Sequence, residues 1–191
     1  RYLGADRRRK PRVPGERRDP RLRPGMSLRT KILAALKDVD ASLPATLETA
    51  SATIGGFFAE SKIPTDIATA ITNAYTDLNR KSSIENRKSV AIRSSATAED
   101  LPEASFAGQQ ETYLNISGAD GVLEAVKNCW ASLWTGRAIS YRLRQNIGPE
   151  SVALAVVVQL LVDAEAAGIL FTANPLNARR DELAINAAWG L

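Results

Sequence analysis

Along residues 27–78 apolar positions recur at the three-to-four-residue spacing of helices buried on one side. Ile32, Leu33, Leu36 and Val39 share one face of a first helix that opens at Ser27. Pro44 introduces a second helical stretch, Ala45 to Ala59, which the Gly55-Gly56 pair is expected to end. Pro64-Thr65-Asp66 reads as a helix start. Ile67, Ala70, Ile71, Ala74 and Leu78 follow it at helical spacing. The outer faces of all three helices are polar, and they read as scaffold.

The period then changes. Asn79 to Lys88 is polar and reads as a loop, followed by a short strand, Ser89 to Arg93, and a Ser/Thr/Ala-rich loop through Gln109. Glu111 to Ile116 reads as another strand. Ser117-Gly-Ala-Asp120 has the form of a helix N-cap with an acid three residues on. The helix after it carries Val122, Val126, Cys129 and Leu133, with Trp130 and Trp134 beside them, and is expected to run to about Asn146, before Gly148-Pro149. Valine-rich Ser151 to Val162 reads as a buried strand, with further strands at Gly168 to Thr172 and Glu182 to Asn186. Helices followed by strands around one long helix predict an α+β fold: a mixed, largely antiparallel sheet with flanking helices. No internal repeat is visible.

Composition divides the 191 residues in two. Residues 1–25 hold ten Arg or Lys against three acids, and four prolines, while the rest holds 15 basic against 18 acidic residues. The net charge of +4 therefore averages a strongly basic tail and a mildly acidic domain at 26–191. The tail has too little apolar surface to offset its ordering entropy, and disorder is expected there. A nucleic-acid arm is the functional reading of that tail. An unstructured extension ahead of Met26 is the simpler one, since nothing downstream resembles a nucleic-acid module.

Two residue counts exclude chemistry. There is no histidine, so no Ser-His-Asp triad, histidine metal ligand or phosphohistidine can lie within this sequence. Cys129 is the single cysteine, which rules out an internal disulfide and a cysteine metal site and fits a reducing cytoplasm. The longest apolar run, Val152 to Val162, is interrupted by Gln159 and too short to span a bilayer. No signal peptide is recognisable.

What remains for chemistry concentrates between Arg93 and Thr112. Arg93 closes a strand and enters a stretch of small hydroxylated residues. A guanidinium suits phosphate oxygens. Ser94, Ser95 and Thr97 add hydroxyl donors, and Ala107-Gly108 allows a ligand to approach the backbone. The residues alone describe an anion-binding loop or, equally, a polar surface loop with a structural arginine. Gln159 is a lone amide in an apolar run, where burial demands a hydrogen-bonding partner. Trp130 and Trp134 read as packing rather than as a stacking platform. Asp163 and Glu165 read as loop carboxylates.

The segment VAIRSSATAEDLPEASFAGQQETYLN is similar, nearly residue for residue, to the signature of the ATP-grasp domain shared by phosphoenolpyruvate synthase, pyruvate phosphate dikinase and rifamycin phosphotransferase. CWASLWTGRAISYR, VALAVVVQLLVDAEAAGILFTANP and INAAWGL continue the resemblance in order from about Val90 to Leu191. It implies a kinase-type domain that binds ATP with Mg²⁺ between two α+β lobes and passes a phosphoryl group through a histidine on a separate domain. It places Arg93 on the nucleotide phosphates, and Gly108 and Thr112 on the loop and strand that close over them. Gln159 then stands beside the adenine, and Leu161 on the hinge facing the base edge. It assigns no catalytic residue and no metal ligand to this sequence.

Departures from the family pattern qualify that expectation. No lysine stands in the Lys-Gly-Asn-Leu-like context with which the family begins. Ala173, in Thr172-Ala-Asn-Pro175, occupies a position where some members place an arginine, and Arg179 and Arg180 nearby read as exposed loop charges. The family's Mg²⁺ acids, Gln-x-Arg segment and histidine domain are expected from outside this sequence. The reading is therefore an incomplete ATP-grasp domain, unable to complete the reaction alone and served by a polypeptide that supplies the missing lobe and histidine domain. A rifamycin phosphotransferase fragment and a non-catalytic nucleotide- or partner-binding module are the alternatives.

Overall fold

A computed structural model describes residues 25–81, 89–96, 100–101, 104–105 and 111–190. The basic tail, apart from Gly25, and the loop positions Thr97, Ala107 and Gly108 lie outside the described residues.

Helix α1 spans Leu28–Leu36, and the Ser27 hydroxyl accepts the Thr30 N–H at 3.2 Å, capping an otherwise unpaired donor. Helix α2, Pro44–Glu60, begins on proline, whose missing N–H costs nothing at a first position. Gly55-Gly56 does not end it. Leu47, Ala50, Ile54 and Phe58 form one buried face that continues past the pair. That packing outweighs the roughly 1 kcal/mol that each interior glycine costs. Helix α3, Thr65–Lys81, starts where the sequence indicates and extends into the stretch expected as loop.

Next come β1 (Val90–Ala96), the short β2 (Asp100–Leu101) and β3 (Ala104–Ser105), and β4 (Thr112–Ile116). The expected single long helix is two, α4 (Ala119–Ser132) and α5 (Gly136–Arg144). The Thr135 hydroxyl accepts the Ala138 N–H and starts α5 afresh. The reason is tertiary. Val122, Val126 and Cys129 of α4 pack with β1, whereas Ile139 of α5 packs with α2. At Gly136 α5 meets α2: a β carbon would lie 3.7 Å from the Leu47 backbone and 2.8 Å from the movable Glu48 Oε1. The cap read at Ser117 is not made either. Gly118, at φ 77°, occupies the N-cap, and its N–H donates to the Tyr75 hydroxyl at 3.0 Å.

Strands β5 (Leu154–Leu160), β6 (Ala166–Phe171) and β7 (Ala184–Trp189) complete the order. All pairings are antiparallel: β4-β1-β5 in one sheet, β2 with β3, and β6 with β7. This is the α+β fold expected. In β5, Val156, Val158 and Leu160 join Val90 and Ile92 of β1 against α3 and α4, while the residues between them are exposed. The valine-rich run is thus half buried rather than buried on both sides, since the described helices cover only one face of the sheet. Fully burying Ile92 contributes about 2–3 kcal/mol. A second cluster joins Ile32 of α1, Leu47, Ile54 and Phe58 of α2, and Ile139 of α5. Trp130 packs against both clusters and Trp134 against the second, so both are packing residues as read.

The β6–β7 hairpin is different. Ile169, Leu170, Phe171 and Ile185 are exposed, and Trp189 is 89 % exposed, as expected for apolar strands not covered by a further layer. Among the described residues no helix is long and apolar enough to cross a membrane.

Candidate functional site

The face of the β4-β1-β5 sheet that no described helix covers collects the polar residues singled out in the sequence, around the buried Ala91. Alternation along β1 turns Val90 and Ile92 into the core and leaves Arg93 exposed on the other side. Arg93 sits on the central strand, with Thr112 of β4 directly opposite on one side and Val157 of β5 on the other. Gln159 is paired with Ala91, which makes it a diagonal neighbour of Arg93, about 7–8 Å away for such positions. Three of the five expected contact residues therefore share one patch.

The other two differ. Gly108 lies outside the described residues. Leu161 is buried just beyond the end of β5, and its N–H donates to the Ser89 carbonyl at 3.1 Å. That N–H is committed and is not available to a ligand.

Gln159 is exposed, not a buried amide. The apolar run hid this because its odd and even positions are both mostly apolar, so nothing in it marks which face meets water. Ser94 and Ser95 belong to β1 rather than to a loop, and the Ser94 hydroxyl donates to the Glu111 carbonyl at 3.2 Å, tying the end of β1 to the start of β4. Leu114 and Val157, exposed on the same side of the sheet, were passed over in the sequence. Counting by two from Thr112 and from Gln159 finds them.

The electrostatics favour an anion. No carboxylate among the described residues pairs with Arg93, whereas Arg29 is bonded to Glu150, Arg80 to Asp77, and Arg179 to Asp181 and Glu182. An exposed guanidinium in mid-sheet with a hydroxyl beside it suits oxyanions. Beneath the sheet the groups are kept neutral. Burial pushes the Cys129 thiol up to about 11, with the Glu111 carboxylate adding to it, and the same causes raise Tyr113. Asp163 and Glu165 are exposed in the loop after β5, and Arg179 is an exposed, paired loop charge.

A separate groove of about 450 Å³ lies among α1, α4 and the segment leading into β5, lined by Leu28, Ile32, Trp130, Trp134 and Val152. Its arginine, Arg29, is held by Glu150 at 2.5 Å, so the groove offers no free cation to a phosphate.

Comparison with known proteins adds an independent line. The family model for the pyruvate phosphate dikinase AMP/ATP-binding domain matches residues 23–191. The chain is 55 % identical over 129 residues to a phosphoenolpyruvate synthase of Pyrococcus furiosus, covering 68 % of this chain and 16 % of that protein. It is 51 % identical over 164 residues to a probable phosphoenolpyruvate synthase of Methanocaldococcus jannaschii, covering 86 % and 14 %. A rifampicin phosphotransferase of Bacillus subtilis is 46 % identical over 132 residues, covering 69 % and 14 %. The chain thus spans only about a sixth of the length of these relatives.

Proposed function

Because the chain belongs to the pyruvate phosphate dikinase AMP/ATP-binding domain family, we propose that it is the ATP-holding part of a phosphoenolpyruvate-synthase-like phosphotransferase, with the nucleotide on the open face of the β4-β1-β5 sheet. The observation that carries this is Arg93: a cation on the central strand without a carboxylate partner among the described residues, facing Thr112 across the β1–β4 ladder. Arg93 binds phosphate oxygens, Thr112 donates its hydroxyl to them, and Gln159 offers an amide to the base. Leu161 presents its carbonyl at the hinge, and Gly108 lets the loop close over the phosphates.

In this reading the domain is of ATP-grasp type and serves the nucleotide half of the reaction. A segment 55 % identical to a phosphoenolpyruvate synthase and 46 % identical to a rifampicin phosphotransferase fits a common step rather than acceptor choice. The sequence has no histidine, so a phosphohistidine step needs a group from elsewhere in the polypeptide or from another one. Among the described residues no cluster of three or more His, Cys, Asp or Glu forms a metal site. In this reading the protein ligands of Mg²⁺ come from outside this sequence. This chain's own residues bind and orient the nucleotide, and phosphoryl transfer requires the remaining cations and metal.

Calorimetric titration with ATP and Mg²⁺ tests the reading. Saturable binding that Arg93→Ala weakens about 10- to 100-fold is expected for loss of a charge-assisted contact. Equal affinity in a folded Arg93→Ala chain would remove Arg93 from the site.

A further inference from the structure

The β6–β7 hairpin forms a two-stranded sheet of its own, and none of its residues joins the hydrophobic clusters of the domain. A two-stranded hairpin is marginal in water, and further strands are what ordinarily stabilise one. The Gly190 N–H donates to the Glu165 carbonyl at 2.9 Å, and the same register runs on to Phe171 opposite Ala184. Alternation along that ladder turns the backbone N–H and C=O groups of Ile185, Ala187 and Trp189 outward, to the edge of β7 that no described strand pairs. Nothing blunts that edge, since β7 (AINAAW) carries no charge and no proline.

The edge is complementary to itself. Antiparallel pairing of two β7 strands about a two-fold axis at Ala187 joins outward groups to outward groups. Ala187 then faces the second copy's Ala187, and Ile185 faces the second copy's Trp189, an arrangement the symmetry repeats at the other end. Of the registers that match outward groups, this one alone pairs all three outward residues of β7 with one another. Ile185 is 68 % exposed and Trp189 89 % exposed, and an aromatic beside a β-branched residue is a favourable cross-strand pair. Ala166, Gly168 and Leu170 of β6 stand opposite Trp189, Ala187 and Ile185, so these six share one apolar face. We propose that β7 is a dimerisation edge: two copies of this chain join through antiparallel β7–β7 pairing centred on Ala187, making a four-stranded sheet β6-β7-β7-β6. A two-fold, self-complementary contact is the commonest way for identical chains to associate. One short strand edge buries less than the roughly 1,600 Å² of a standard interface, so the dimer is weak and reversible.

Sedimentation of the whole chain over a micromolar concentration series, with reductant present, is expected to show a reversible monomer–dimer equilibrium. Ala187→Cys is expected to give a disulfide-linked dimer on mild oxidation, because residues opposed in a hydrogen-bonded antiparallel pair stand about 5.5 Å apart at Cα, within disulfide reach. Asn186→Cys, at a position also exposed but on the other face, stands across from the second copy's Ala188 and is expected to stay unlinked over the same time. The native Cys129 is buried and does not compete. Two hairpins stacked face to face would lie about 10 Å apart, too far for a disulfide at residue 187. An edge that instead takes a strand of a different polypeptide would leave the chain monomeric. A monomer at every concentration, no link through Ala187→Cys, or equal linking through Asn186→Cys and Ala187→Cys each overturns the proposal.

Discussion

Replacing Arg142 with methionine should stabilise this protein. Arg142 is 4 % exposed on the inner side of α5, and no carboxylate among the described residues pairs with its guanidinium. Its contact is the Trp134 ring, 4.7 Å from the guanidinium carbon. Burial pushes its pKa down to about 10. At about 1.4 kcal/mol per pH unit, the charged form costs roughly 3 kcal/mol near neutrality. A desolvated cation–π contact returns about 1–2 kcal/mol of that. Methionine fills a similar volume, keeps a favourable sulfur–ring contact with Trp134, and carries no charge to desolvate. The net expectation is a gain of about 1–2 kcal/mol, seen as a higher urea midpoint at pH 7.5 with an unchanged slope. The sign with pH is fixed. Arg142's folded pKa is depressed, so the wild type is penalised below about 10 and regains stability as pH rises from there toward the ordinary guanidinium range, where the gain from methionine shrinks. A loss of more than about 2 kcal/mol in Arg142→Met would refute the reasoning, because only a guanidinium that repays its own desolvation could cost so much to remove.

Two further outcomes follow from the same kind of argument. Cys129 is fully buried with its thiol raised to about 11, so an aromatic disulfide reagent at pH 8 should label it only at the rate of unfolding; rapid labelling of the folded chain would contradict its burial. Because that pKa is raised from 9.0, stability should fall as pH climbs from about 9 toward 11. The exposed apolar hairpin should bind a hydrophobic dye and promote concentration-dependent self-association, both reduced by an Ile169→Thr, Ile185→Thr double substitution; sedimentation that is monomeric and unaltered by those changes would contradict this.

Much of the fold is legible in the sequence because its signals are local. Pro64-Thr65-Asp66 opens α3 where read, and the residues around Arg93 and Thr112 fall into two strands that pair with each other. What escaped depends on contacts distant in sequence. The break between α4 and α5 arises because their apolar residues serve different clusters, which helical spacing alone does not reveal. The Gly55-Gly56 pair stays helical because the face bearing Ile54 and Phe58 is buried by other elements. The apolar run of β5 masked its alternation, so Gln159 was read as buried and Val157 was overlooked. Gly108 lies outside the described residues and keeps only its sequence-based role.

The central claim is that nucleotide lies on the open face of the three-stranded sheet. Photolabelling of the whole chain with 8-azido-ATP, followed by tryptic mapping, tests it most directly. In the peptide that follows Arg144 and ends at Arg179, the account predicts label within residues 155–161, beyond the positions 149–154 that line the apolar groove, with labelling suppressed by excess ATP. Label concentrated in the peptides of α1 and α2, beside the apolar groove, or label that excess ATP does not displace, would contradict it.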